Sequence, residues 1–158
     1  MTIALTAAAK RGIDVAHGVD KVLWDRTQND GKTRTTLEKP EDALAGFSMS
    51  PDHEKASFLD YAVNPPTAFQ NDLDIMIKAW HDHDDGAISR ILEHRHRMWP
   101  VGFEKLITGR NQAWIASITQ LAADKTPTLV VVGALHCVGE TGLLKLLEVR
   151  GLHPLRVI

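Results

Sequence analysis

The feature that most constrains this chain is its last thirty-one residues, "TLVVVGALHCVGETGLLKLLEVRGLHPLRVI". A continuous apolar run at 128–133 meets a glycine-bracketed turn, a leucine-rich helical stretch and a closing β-type run at 152–158. Gly151 stands where a helix end favours a residue of positive φ. Strand, turn, helix and strand in that order predict a βαβ unit with parallel strands and a right-handed crossover. A third strand is expected at "TRTTLE" (33–38), which is rich in β-branched residues and ends at Glu38, just before Pro40. The expectation is a single α/β domain over 1–158, mostly helical, with a small parallel or mixed sheet.

Helical signals fill the middle of the chain. Pro40 with the acidic pair after it suits the first turn of a helix reaching about Phe47, and Pro51 with Asp52 and Glu54 starts another. Leu73, Met76, Ile77 and Trp80 recur at i, i+3, i+4 and i+7, which predicts a buried stripe ending near "DHDD". A helix through Ile88, Ile91 and Leu92 breaks at Pro100. A longer one carries Ile107, Trp114, Ile115, Ile118 and Leu121 on one face. The best loop candidate is "AVNPPTAFQND" (62–72).

With 158 residues, 44% of them hydrophobic, the chain can bury one core, and a formal net charge of −2 with mixed signs gives no footprint for nucleic acid. Cys137 is the only cysteine, so an internal disulfide and a thiol-rich metal site are both excluded. No apolar run approaches the roughly 18 residues a bilayer span needs. "MTIALTAAAKRG" lacks the positive n-region of an export signal. A soluble chain of open location is expected.

His136 lies three residues beyond the glycine that ends "LVVVG", at the rim where strand ends of a parallel sheet gather polar groups. Gly133, Gly139 and Gly142 leave the backbone room to approach a ligand or turn tightly. Glu38 ends another expected strand, so carboxylate and imidazole could meet on one rim as metal ligands or as a base and its partner. The plainer alternatives are a helix-capping His136 and a Glu38 that caps the helix after it. In "GRNQAWIASI", Asn111 falls within the apolar stripe and Arg110 at its border. A polar amide aimed into a packed face needs partners. The pair could hold a substrate carbonyl, grip the Glu38 carboxylate, or clamp the sheet structurally.

His81 with His83, and His94 with His96, are spaced i, i+2 and do not share a helix face. Cys137 reads as a small buried residue. "GALHCVGET" has the wrong glycine spacing for a phosphate cradle and Glu140 where the lysine would stand. Nucleotide binding is rejected.

Together, "GVD" at 18–20, "GK" at 31–32, "LE" at 37–38, the Trp80 helix, "RN" at 110–111 and the closing block resemble the TraB/GumN family, whose animal relatives are the Tiki metalloproteases. The glycine–x–x–histidine element from Gly133 to His136 is the most specific match. The resemblance implies a divalent-metal-dependent hydrolase, peptidase-like, using manganese, cobalt or zinc on a peptide or small-molecule substrate. It implies Glu38, Arg110 and His136 as catalytic residues, with His136 and Glu38 on the metal and Arg110 stabilising the developing negative charge. Asn111, Gly133 and Gly139 would line the substrate. The family's first glycine–x–x–histidine element has no counterpart before Glu38, and His17 does not fit the pattern. Gly109 and Leu135 also depart from the usual residues. The domain is therefore expected to be N-terminally truncated relative to the family, with a sheet edge open to homodimerisation. A non-catalytic remnant that binds a peptide or protein partner is the alternative.

Overall fold

The computed structural model describes residues 9, 12–64 and 67–157, and only the backbone at 15, 44, 47, 62 and 67–72. After a 3₁₀ turn at Val15–His17, helices run over Val19–Asn29 (α1), Pro40–Ser48 (α2), Asp52–Val63 (α3), Thr67–His81 (α4) and Asp85–Met98 (α5). Then Pro100–Phe103 (α6) passes through a π-helical turn, Glu104–Thr108, into Gly109–Ala123 (α7). A 3₁₀ turn at Ala134–His136 precedes Leu143–Val149 (α8).

The helix starts follow local chemistry. Proline opens α2 and α6, where its missing N–H costs no bond. Asp84 caps α5 by accepting from the Ala87 amide at 2.9 Å. The start of α6 is capped at long range. The Glu54 carboxylate, buried on α3, accepts the Val101 and Gly102 amides at 3.0 and 2.7 Å. One side chain thereby satisfies two of the donors a helix end leaves orphaned, and ties α3 to the helix that leads toward Arg110.

Two apolar clusters form the core. In the first, Ala79 of α4 meets Ala87, Ile88 and Leu92 of α5, Phe103 and Val138, with Cys137 at its margin. In the second, Trp114, Ile115 and Ile118 of α7 meet Leu143 of α8, flanked by Leu37, Val130 and Val132.

The expected sheet is absent. Among the described residues there is no β-strand, and neither 33–38, 128–133 nor 152–157 forms a ladder. The fold class is mostly helical, and the C-terminal βαβ unit is overturned. The reason lies in what these segments contact. Leu37, Val130 and Val132 use their side chains against α7 and α8, and residues 128–132 make no backbone–backbone hydrogen bond among the described residues. The last segment makes no backbone hydrogen bond to 128–133 among the described residues. Arg156 instead donates to the His83 carbonyl at 2.9 Å and pairs with Asp85, pinning the segment to the α4–α5 corner. β-branched composition supplies a surface for a ladder, and no partner is placed to complete it.

Two further expectations fail. The stripe on α4 is not buried: Trp80 is 56% exposed and Ile77 is also open, because Ala79 is the residue that allows close approach to α5. The 62–72 loop is mostly helical, with α3 reaching Val63 and α4 beginning at Thr67. No helix among the described residues is long and apolar enough to cross a membrane.

Candidate functional site

The site is built from the start of α7 and the turn after residue 133. Across the π-helical turn the Gly109 amide bonds the Glu104 carbonyl, one residue further back than in an α-helix. That wide turn sets the phase of Arg110, Asn111 and Trp114. Arg110 and Trp114 are one helical turn apart, and the guanidinium lies 4.7 Å above the indole centroid.

Arg110 grips Glu38 with two prongs, Nε to Oε2 at 3.0 Å and Nη2 to Oε1 at 2.6 Å. Its Nη1 donates to the Leu106 carbonyl at 3.1 Å. The Trp114 indole N–H also donates to Glu38 Oε2, at 3.2 Å. Both carboxylate oxygens are thus engaged. The side chains stay 26% and 18% exposed, so the pair is sheltered without being sealed. Glu38 does not cap α2; the Lys39 amide near that helix start donates to Asp42 instead.

Asn111 is fully buried and completely satisfied. Its Nδ2 donates to the carbonyls of His136, at 3.2 Å, and Thr141, at 2.8 Å. Those two donations fix which way the amide faces. Oδ1 must therefore be the atom 2.7 Å from His136 Nδ1, and since it can only accept, Nδ1 carries the proton. The lone pair of neutral His136 resides on Nε2. That nitrogen has no hydrogen-bond partner among the described residues, and no fully enclosed side-chain nitrogen or oxygen there goes unpaired. Nε2 is therefore not fully enclosed, within a residue that is 7% exposed overall.

Burial of the ring, with the Arg110 charge nearby, holds the His136 pKa down to about 4 despite the opposing pull of Glu38. The ring packs 4.7 Å from that of Trp114. At neutral pH His136 is therefore an uncharged donor of one lone pair, fixed in tautomer and orientation.

The turn that carries His136 is closed by glycines of unequal necessity. Gly139 has φ of +81°, and a Cβ at Gly142 would stand 2.4 Å from the Val138 carbonyl oxygen. Gly133 has φ of −63°, and a Cβ there would meet nothing closer than His136 Cδ2 at 3.8 Å. Only the first two are demanded by the backbone. Thr108 and Thr141 hydroxyls pair across the turn at 3.3 Å.

Of the residues singled out from sequence, Glu38, Arg110, Asn111 and His136 share one continuous network. Trp114, expected only as core, proves to be its centre, touching Arg110, Glu38 and His136. Its spacing four residues after Arg110 was the available signal. The Thr141 carbonyl had none. The other histidines stand apart from this network: His17 and His81 pair with exposed Asp14 and Asp82, and His96 stacks on Phe103. Burial pushes the Cys137 thiol up, with Asp85 adding to the effect, so the thiolate a nucleophile would need is disfavoured.

The arrangement is a helical domain that carries a histidine–asparagine–arginine–glutamate constellation. The model of the TraB/PrgY/gumN family matches residues 1–154, and the chain belongs to that family. Neither the curated proteins nor the solved structures offer a match to the chain.

Proposed function

We propose that this constellation is part of a TraB/GumN-type hydrolase centre, peptidase-like in chemistry, in which His136 supplies a metal-ligating nitrogen. The carrying observation is the Asn111 amide, which leaves the His136 Nε2 lone pair without a partner among the described residues, on a buried ring that resists protonation. A general base works best with a pKa near the operating pH, and a ring held near 4 is a weak one. A ligand must instead be neutral and oriented, and a hydrogen bond to its other nitrogen does both.

The fit to a divalent ion is partial. His136 offers one free donor, while Glu38 has both oxygens occupied. Among the described residues no group of three or more His, Cys, Asp or Glu side chains is placed to hold a metal, and catalytic zinc sites use three protein ligands. A bound manganese, cobalt or zinc would supply Lewis acidity for hydrolysis near neutral pH. The chain's own contribution is orientation and charge. Glu38 and Trp114 hold the guanidinium in place. Arg110 uses three of its five N–H groups on Glu38 and Leu106, leaving two for the oxygen of a substrate carbonyl as it gains negative charge.

A second reading, a partner-binding module without turnover, is favoured by that same shortage of ligands. The two separate experimentally. Metal uptake by the wild-type chain and His136→Ala is measured by calorimetry with manganese, cobalt and zinc, alongside hydrolysis of a peptide library. Uptake and turnover that both vanish in the variant support the hydrolase. Turnover absent from both proteins, with a variant that differs only in stability, leaves the binding module.

A further inference from the structure

We propose that the extended segment 128–132 is the interface of a homodimer, pairing antiparallel with the same segment of a second copy. Two observations converge on it. First, the segment lies extended with no backbone–backbone hydrogen bond among the described residues, so its amides and carbonyls are available to a ladder. Second, its faces are already sorted. Val130 and Val132 pack on α7 and α8, while Leu129 and Val131 point outward, 70% and 44% exposed.

A shallow cleft of about 270 Å³ lies beside the segment, lined by Ile118, Leu121, Thr128 and Val130 among others.

The sequence is suited to meeting itself. No Lys, Arg, Asp or Glu occurs from Pro127 to Gly139, so two copies meet without charge repulsion and without the lysines that ordinarily protect an edge. A twofold axis through Val130 sets Thr128 opposite Val132 and Leu129 opposite Val131. Side chains alternate across an extended chain, so this register keeps each residue on the same face as its mate. The inward valines of both copies then continue one core, and the outward pairs cover each other. Pro127 and Gly133 bound the ladder to about five residues. A second copy thus satisfies both the backbone and the exposed face, in the isologous manner of closed dimers.

The full chain is examined by light scattering at tens of micromolar, together with its V131K variant. Twice the 17.5-kDa mass is expected for the wild type. V131K, which changes an exposed side chain, should weaken association at least tenfold at unchanged helical circular dichroism. Register is read by cross-linking in a Cys137→Ser background. A mixture of L129C and V131C chains should form a disulfide-linked pair, and either chain alone should not. A monomeric wild type, a dimer indifferent to V131K, or a dimer without the mixed cross-link would each overturn the proposal.

Discussion

His136 and Asn111 are bonded twice, side chain to side chain at 2.7 Å and Asn111 Nδ2 to the His136 carbonyl at 3.2 Å. The amide therefore fixes both the ring and the backbone that carries it. Replacing Asn111 with leucine, close in size, strands the His136 Nδ1 proton and two carbonyls in a buried space. Unmet polar groups of this kind cost about 1–3 kcal/mol each, partly offset by relaxation. A loss of roughly 2–4 kcal/mol in urea unfolding is expected. A change under 1 kcal/mol would contradict the assigned network.

Stability should depend on pH through His136. Its folded pKa lies near 4, below the unfolded value of about 6.5. Above pH 6.5 both states are neutral and the contribution is fully present. As pH falls from about 6.5 toward 4 the unfolded chain takes up the proton first, and the folded state loses up to about 3 kcal/mol. Urea midpoints between pH 7 and 4.5, measured with chelator, should fall in the wild type. Replacement of His136 by glutamine should flatten that slope. A ring nitrogen titrating near 6.5 by NMR would refute the assignment.

The Glu38–Arg110 pair should show coupling in a double-mutant cycle. Because both groups keep some solvent, the expected coupling is modest, about 1–2 kcal/mol. Glu38→Ala should also shift Trp114 fluorescence, since the indole N–H loses its acceptor. Additive single-variant effects would mean that the two-pronged contact does not persist in solution.

Glu54 gives a prediction away from the site. Alanine there removes the acceptor for two helix-start amides in a buried setting, at a cost of about 2–3 kcal/mol. Gly102→Ala should also destabilise, because its Cβ would stand 3.2 Å from Glu54 Oε2 and 3.3 Å from Ser50 Oγ. Thermal melts of both variants check this, and neutral outcomes for both would refute the cap.

The helices were legible in the sequence because their signals are local. Pro40, Pro51 and the apolar spacing of Ile88, Ile91 and Leu92 each act within a few residues. The strands were misread for the opposite reason. Valine-rich composition at 128–132 states what a segment can pair with, and pairing depends on where distant chain is placed. Trp80 failed similarly, since helical period marks an apolar face without telling which neighbour, here reached through Ala79, will cover it. The convergence of Glu38 with Arg110, Asn111 and His136 could be anticipated from turn position and from a polar amide on an apolar face. The central place of Trp114 was signalled only by its spacing after Arg110, which does not single it out, because an aromatic residue on such a face serves packing equally well.

The widened turn at 104–108 gives the molecule an unusual sensitivity to length. The same residues wound there as an ordinary α-helix would be none the worse as a helix, yet unless one residue were also removed, every side chain beyond the turn would swing about 100° around the axis. The guanidinium would leave the carboxylate, and the amide would leave the imidazole. Spacing at this point, independent of which residues provide it, is thus a determinant of the whole constellation.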